Sequence, residues 1–143
     1  AYDQTDWIRR FPCQCLQIVY HVEKTNYIEK ALAGGPDAPT ALENLSLHWQ
    51  RDINSFFHMA PIFQDPPTQL TLHQMILEAI QNRDMVRKLS KEKIESAESY
   101  LWKSQMRLRW HEESTSVTVC QGDCSGGDLE YGFEYQGIGE SIV

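Results

Sequence analysis

The spacing of the apolar residues changes near residue 105, and this change constrains the fold more than any other feature of the sequence. Before that point, apolar residues recur at intervals of three and four, which indicates amphipathic helices. After it, apolar and polar residues alternate, which indicates strands with one buried face. The sequence therefore predicts a mostly α fold with a small β part (α+β): a helical bundle followed by a short antiparallel sheet.

Two helices are predicted in the first 60 residues. Pro12 can occupy the first turn of the first helix, whose apolar spacing continues to Leu32. Residues 33–39 contain two glycines and two prolines, which is typical of a loop. The second helix is predicted over about 41–60. The apolar residues of the two helices are Leu16, Val19, Tyr20, Tyr27, Ile28, Ala31, Leu32, Leu42, Leu45, Trp49, Ile53, Phe56, Phe57 and Ala60.

A third helix is predicted to begin at Thr71, whose hydroxyl can cap the helix while Gln74 completes a capping box. Charged residues dominate positions 83–98, so we expect that end of the helix to be solvated. A fourth, short helix is predicted over 97–105. The buried face of the third helix would consist of Leu72, Met75, Ile76, Ala79, Ile80, Val86 and Leu89.

Three alternating segments predict the strands of the sheet. Their apolar positions are Met106, Leu108 and Trp110, then Val117 and Val119, then Leu129, Tyr131, Phe133 and Tyr135. The alternation favours a buried position for Trp110, because it shares a face with Leu108.

Size and composition limit the classes of function. With 143 residues, of which 41% are hydrophobic, the chain can form one compact domain. Its net charge of -7 argues against nucleic acid or an anionic membrane as a partner. No apolar run approaches the roughly 18 residues of a membrane span, and residues 1–6 lack the features of a signal peptide. The absence of an initial Met fits a fragment, although a processed terminus would look the same.

The four cysteines allow two interpretations. Cys13 with Cys15 and Cys120 with Cys124 could form a four-thiolate zinc site, but structural zinc sites usually have a gap of two to four residues within each pair. The first pair is too closely spaced for that pattern. We therefore expect reduced thiols without a metal, because disulfides are typical of exported proteins.

No catalytic or metal-binding residues are predicted within this segment. Gly122, Gly126 and Gly127 could suggest a phosphate-binding loop, but Asp128 follows where such a loop needs Lys and a hydroxyl residue. The five histidines form no His-Glu-x-x-His motif, and the sequence contains no Gly-x-Ser-x-Gly nucleophile motif.

Five places along the chain resemble, in the same order, sequence motifs of dynein heavy chains. They are Trp7-Ile8 with Phe11-Pro12-Cys13-Gln14; Tyr20 with Glu29-Lys30-Ala31-Leu32; residues 82–86 (Asn-Arg-Asp-Met-Val); residues 101–110 (Leu-Trp-Lys-Ser-Gln-Met-Arg-Leu-Arg-Trp); and Tyr131–Gly137, followed by Ile142-Val143. Phe11, Cys13, Gln81 and Ser141 depart from the family's Trp, Gly, His and Arg. These departures suggest a divergent member in which motor activity could be altered.

The resemblance implies a place within a much longer protein. Residues 1–127 would form the C-terminal part of the linker, a helical rod that lies over the AAA+ ring and moves when the ring hydrolyses ATP. Residues 128–143 would join this rod to the first AAA+ module, with Tyr131–Gly137 as the anchor and Ile142 and Val143 against bound adenine. ATP and Mg²⁺ would bind the parent chain beyond Val143. The parent would be a microtubule motor ATPase, whereas this segment would not be catalytic.

The same resemblance implies partners and location. The partners would be the AAA+ ring of the same heavy chain, microtubules, and dynein intermediate and light chains, with neither nucleic acid nor membrane among them. The location would be the cytoplasm and cytoskeleton, with the ciliary axoneme favoured. Two alternatives stay open at this point: a non-motile scaffold in an axonemal complex, and a free-standing α+β interaction module whose likeness to dynein is accidental.

Overall fold

The structure is a computed structural model that describes residues 5, 8–9 and 11–123, and the backbone of residues 129–131. The described helices are α1 (Cys13–Leu32), α2 (Ala38–Met59), α3 (Pro66–Lys91) and the short α4 (Tyr100–Lys103). The strands are β1 (Arg107–His111), β2 (Ser116–Cys120) and β3 (Leu129–Tyr131). The predicted mostly α fold with a small antiparallel sheet is therefore confirmed.

Helices α2 and α3 form the centre of the bundle and pack more extensively on each other than on any other described element. The short connection at residues 60–65 makes them neighbours. Trp49 and Phe56 of α2 are buried with Met75 of α3, at 2%, 0% and 0% exposure. Each such side chain contributes about 1.5–3 kcal/mol when it leaves water. The predicted apolar stripes of the second and third helices are therefore largely the core.

Helix α3 begins before the predicted cap. Asp65 is the N-cap, and its carboxylate accepts a hydrogen bond from the amide of Thr68 at 3.1 Å. Pro66 and Pro67 occupy the first turn, where their missing amide protons leave no intrahelical bond unmade. Thr71 lies inside the helix and donates its hydroxyl to the carbonyl of Pro67 at 3.1 Å. The predicted cap at Thr71 is thus wrong, because the two prolines start the helix earlier.

The exposed and buried faces of the helices differ in detail from the predicted ones. Val19 and Tyr27 of α1 are 44% and 38% exposed, and Ile80 of α3 is only half-buried. The charged C-terminal half of α3 is solvated on one face only, since Val86 and Leu89 are fully buried on the other. No helix among the described residues has both the length and the apolarity required to cross a membrane.

Two connections are shorter or more ordered than expected. The predicted loop at 33–39 contains the 3-10 turn Gly35–Asp37, and α2 already begins at Ala38. The hydroxyl of Ser90 donates to the carbonyl of Pro39 at 3.2 Å, which fastens the end of α3 to the start of α2. The fourth helix is a single turn, Tyr100–Lys103, rather than the longer segment predicted.

The three described strands form an antiparallel sheet in the order β1-β2-β3. Leu108 is opposite Val119, and Val117 lies between Trp110 and Tyr131 in one row across the sheet. A second small core joins this sheet to α1 through Ile18, Leu108 and Val117. The sheet therefore packs on the first helix rather than on the α2–α3 pair.

The predicted burial of Trp110 is wrong, because its side chain is 47% exposed. Helix α1 covers the Leu108 end of that face and leaves the Trp110 end partly open. Arg107, a polar position in the alternation, is instead only 5% exposed. Its guanidinium donates to the sulfur of Cys120 at 3.0 Å and to the carbonyl of Gly122, so the charged group is satisfied inside the fold.

The prediction of reduced thiols is wrong at Cys120, which is disulfide-bonded, whereas Cys13 and Cys15 are free thiols. Gly122 adopts φ 80° two residues beyond Cys120. This left-handed conformation suits glycine and turns the chain at the end of β2. The spacing of the cysteines in the sequence does not predict this turn directly after Cys120.

Candidate functional site: a carboxylate between helices and sheet

The carboxylate of Glu29 is the point at which the helical and sheet parts of the chain are most directly bonded. The indole nitrogen of Trp102, in α4, donates to Glu29 Oε2 at 2.9 Å. The guanidinium of Arg109, in β1, donates to both carboxylate oxygens, with Nη2 at 2.7 Å from Oε2. We call these three residues the Glu29 cluster; they join α1, α4 and β1.

The geometry of this cluster makes its bonds strong and directional. The planar fork of Arg109 matches the two carboxylate oxygens, which is the arrangement that fixes relative orientation best. The side chains of Glu29 and Arg109 are only 22% and 33% exposed, so water screens them weakly. Burial by itself would raise the pKa of Glu29, but the hydrogen bonds from Arg109 and Trp102 outweigh it and hold that pKa below its usual range. The carboxylate is therefore ionised at neutral pH.

The position of Glu29 explains why it needs such partners. It lies in the last turn of α1, where the negative end of the helix dipole disfavours an acidic side chain. The positive charge of Arg109 offsets this repulsion. Because the bonds of the cluster reach across 73 and 80 positions of sequence, they exist only when the sheet is docked on α1.

Two hydrogen bonds close to the cluster fix the position of Trp102 relative to the sheet. The amide of Gly122 donates to the carbonyl of Lys103 at 2.7 Å, and the side chain of Gln121 donates to the carbonyl of Ser104 at 3.0 Å. The end of β2 is thereby tied to α4. Trp102 itself is fully buried, so its indole is fixed by packing as well as by its bond to the carboxylate.

A second set of polar contacts attaches α1 to the other long helices. The hydroxyl of Tyr20 donates to Asp52 of α2 at 2.5 Å, and burial together with the Asp52 charge raises the pKa of this tyrosine. His21 lies 3.0 Å from Glu78 of α3, and the side-chain amide of Gln17 donates to the same carboxylate at 3.5 Å. Burial opposes ionisation of Glu78, but its contact with His21 leaves its pKa lowered. Helix α1 is thus bonded to every long helix and to the sheet.

This arrangement holds structural elements together and offers no evident ligand position. Both oxygens of Glu29 are occupied by protein donors. Within residues 11–123 and the other described positions, no group of three or more His, Cys, Asp or Glu side chains is placed to hold a metal ion. The observed bonds of the cluster therefore connect α1, α4 and β1.

The predicted adenine-contacting residues are not among those that the structure describes. Ile142 and Val143 lie outside the described residues, as does the anchor segment after Tyr131. The structure does bring together two of the stretches that resemble dynein: Glu29 belongs to the second, and Trp102 and Arg109 belong to the fourth. Sequence reasoning missed this contact, because opposite charges 80 positions apart carry no signal of proximity in a single sequence.

No protein-family profile matches the chain. Its sequence is 28% identical over 142 residues to a cytoplasmic dynein heavy chain of Caenorhabditis elegans, covering 99% of this chain and 3% of the relative. It is 34% identical over 136 residues to a cytoplasmic dynein heavy chain of Fusarium vanettenii, covering 93% of this chain and 3% of the relative. The human dynein axonemal heavy chain 12 matches at 22% over 138 residues, or 96% of this chain and 4% of the relative. The chain is homologous to dynein heavy chains.

The dynein homology covers nearly the whole chain, yet the chain spans only about 3% of the length of these heavy chains. Cytoplasmic and axonemal members both match, so the resemblance to the family is confirmed. The preference for an axonemal dynein stays a prediction. The names of these relatives identify dynein heavy chains, and the Glu29 cluster lies within the homologous segment.

Proposed function

We propose that this chain is the C-terminal part of the mechanical linker of a dynein heavy chain, and that it transmits force between the AAA+ ring and the rest of the motor. The observation that carries this proposal is the Glu29 cluster, which bonds the last turn of α1 to α4 and β1. Residues 1–127 are assigned to the linker and residues 128–143 to the start of the first AAA+ module.

A linker must transfer load without stretching, and the described contacts suit that task. Packed helices with close-packed interiors resist deformation. Apolar contacts alone, however, permit neighbouring surfaces to slide, because they have little directional preference. The two-pronged Arg109–Glu29 pair and the Trp102 bond add direction, so a displacement of β1 displaces α1 with it.

In this function the ATP chemistry takes place outside this segment. ATP and Mg²⁺ bind in the parent heavy chain beyond Val143, with Ile142 and Val143 beside the adenine. The partners are then the AAA+ ring of the same chain, microtubules through the parent motor, and dynein intermediate and light chains elsewhere in the complex. The location that follows is the cytoskeleton, in the cytoplasm or the axoneme.

The test is Glu29→Gln in the complete heavy chain, with ATPase rate and microtubule gliding velocity measured on the same preparation. Glutamine can still accept the Trp102 hydrogen bond, but it loses the charge that holds Arg109. We expect gliding velocity to fall by a larger factor than ATPase rate. Glu43→Gln is the matched control, because Glu43 is exposed on α2 and its loss of charge should change neither rate.

Equal losses in gliding and ATPase, or no loss in either, would show that the cluster does not couple hydrolysis to movement. Tyr135→Ala in the proposed anchor segment tests the same coupling at a second place, and it should again spare ATPase more than gliding. If the parent chain never hydrolyses ATP, the non-motile axonemal scaffold replaces the motor interpretation.

A further inference from the structure

A polar cleft lies where the start of α2 meets the end of α3. Its volume is about 650 Å³. Arg87, Ser90 and Lys91 form the wall on α3. The wall on α2 consists of Thr40, Glu43, Asn44, Ser46 and Leu47. The α3 wall is therefore positively charged, although the chain as a whole has a net charge of -7.

The two cations of the α3 wall have no partner within the described part of the chain. Arg83, one turn earlier on α3, is bonded to Asp84 at 3.0 Å and to the side chain of Gln50 at 2.8 Å. Arg87 and Lys91, in contrast, form neither an ion pair nor a side-chain hydrogen bond with any described residue. Their charges are thus available to a group from outside the fold.

The dipole of α3 does not account for both charges. Basic residues in the last turn of a helix commonly offset its negative end. Here the start of α2 lies beside the end of α3, since the hydroxyl of Ser90 donates to the carbonyl of Pro39 at 3.2 Å. The positive end of α2 therefore already offsets the negative end of α3. This leaves a surplus of positive charge in the cleft, which suits an anionic ligand.

The spacing of the cations indicates the form of that ligand. Arg87 and Lys91 are four residues apart, so they share one face of α3 and lie about 6 Å apart along its axis. In an extended peptide, side chains two residues apart point to the same side and lie about 7 Å apart. Two carboxylates with this spacing can contact both cations at once. A single phosphate group would instead require both long side chains to converge.

The α2 wall favours an apolar side chain between the two carboxylates. Leu47 is 51% exposed in the same cleft. Glu43 lies on the same wall and disfavours a second negative charge on that side. The residue between two acidic residues of an extended segment points away from them, and hence toward α2 when they face α3. The net charge of -7 disfavours nucleic acid, whose repeated phosphates would meet the acidic remainder of the surface.

We propose that this cleft binds an extended acidic segment of a separate protein chain, with an acidic–apolar–acidic pattern. Arg87 and Lys91 bind the two carboxylates, and Leu47 packs against the apolar side chain between them. Because both cations are exposed, each charge contact is individually weak and screened by salt, so binding is reversible. This interface goes beyond the proposed linker function, since it requires neither ATP nor movement.

The test measures the rate at which lysines of the complete heavy chain are acetylated, using peptide mass spectrometry. The probe is the blocked peptide Ser-Glu-Leu-Glu-Ser at about 1 mM, so that half-occupancy corresponds to a weak, millimolar affinity. We expect the peptide to slow acetylation of Lys91 at least about twofold. Lys88 is exposed on the same helix but does not line the cleft, so its rate should not change. Ser-Gln-Leu-Gln-Ser should protect neither lysine.

Variants test which side chains hold the peptide. Arg87→Gln should remove most of the protection of Lys91, whereas Arg87→Lys, which keeps the charge, should retain it. Lys88→Gln is the matched control, because it removes one positive charge from α3 outside the cleft and should leave the protection unchanged. Ser-Glu-Ser-Glu-Ser should protect Lys91 less than the leucine peptide does. Leu47→Ser should abolish this difference, because the α2 wall then lacks its apolar contact.

Four results would overturn the proposal. The first is no protection of Lys91 by the peptide, and the second is equal protection of Lys88. The third is protection by inorganic phosphate that equals protection by the peptide, which would make the cleft a site for small anions. The fourth is slow acetylation of Lys91 without any peptide; this would assign the cleft to a second copy if the rate fell with protein concentration, and otherwise to another part of the same heavy chain. None of these results depends on ATPase or gliding, so they separate this inference from the proposed function.

Discussion

A double-mutant cycle on Glu29 and Arg109 gives the most direct measure of how firmly the sheet is attached to the helices. Glu29→Gln removes the charge but keeps an acceptor for Trp102, and Arg109→Gln removes the guanidinium but keeps part of its aliphatic stem. The quantity of interest is the coupling energy: the sum of the two single destabilisations minus the destabilisation of the double variant, which is positive for a stabilising pair.

The structure sets the size expected for this coupling. Exposed ion pairs typically give about 0.2–1 kcal/mol, and breaking a fully buried pair costs about 3–5 kcal/mol. Glu29 and Arg109, at 22% and 33% exposure, lie between these limits. Two parallel charged hydrogen bonds place the pair above the exposed class. We therefore expect a coupling of about 1–2 kcal/mol, discounted for the solvent that still reaches both groups.

The assay is urea unfolding of the chain at neutral pH, followed by tryptophan fluorescence and by circular dichroism to check that one transition is seen. Lys103 and Glu98 provide the comparison pair, since their 3.1 Å contact involves a carboxylate that is 81% exposed. Their coupling should stay within about 0.5 kcal/mol. A Glu29–Arg109 coupling no larger than this comparison value would refute the argument that the cluster is a strong, directional attachment.

Three further outcomes are expected. Glu29 has a pKa below its usual value in the folded chain, so its contribution to stability is fully present above an unfolded pKa of about 4.3 and is lost as pH falls through the folded pKa. The difference in unfolding free energy between wild type and Glu29→Gln should therefore be smaller at acidic pH than at neutral pH. Ile76→Ala should lower the free energy of unfolding by about 2–5 kcal/mol, whereas Leu77→Ala, on the exposed face of α3, should change it by no more than about 0.5 kcal/mol. Equal losses in the two variants would mean that the buried face of α3 is wrongly assigned. Asp65→Ala should lower the melting temperature more than Asp65→Asn, because asparagine can still cap the helix. If Thr71→Ala lowered the melting temperature more than Asp65→Ala, Thr71 rather than Asp65 would be the N-cap.

The helices could be predicted because their signal is summed over many residues. Leu42, Trp49, Ile53 and Phe56 repeat the same spacing, so the two exposed members of the predicted stripe, Phe57 and Ala60, do not hide the buried face. Helix ends carry far less information. The predicted start of α3 is wrong because Thr71 and Gln74 form a capping pattern inside the helix, whereas Pro66 and Pro67, which start the helix after Asp65, are also typical of a turn.

The errors in the sheet have a different cause. Alternation shows that Leu108 and Trp110 share a face, but it cannot show how far a neighbouring helix covers that face. Arg107 holds a polar position in the alternation, yet it is buried, because the chain turns at Gly122 and brings a carbonyl acceptor to its guanidinium. The Glu29 cluster could not be predicted either: its residues were visible as parts of two motifs, but nothing in one sequence states that distant motifs are in contact.

The contact between α1 and the outer edge of β1 limits how this sheet can grow. The amide of Leu108 points away from β2 and donates to the hydroxyl of Thr25, a fully buried residue of α1, at 3.2 Å. An edge strand with free amides is a template on which another strand can add. Here the helix occupies that template on the β1 side. A further strand, whether from a neighbouring module or from an aggregating copy, is therefore hindered from adding to the sheet beyond β1.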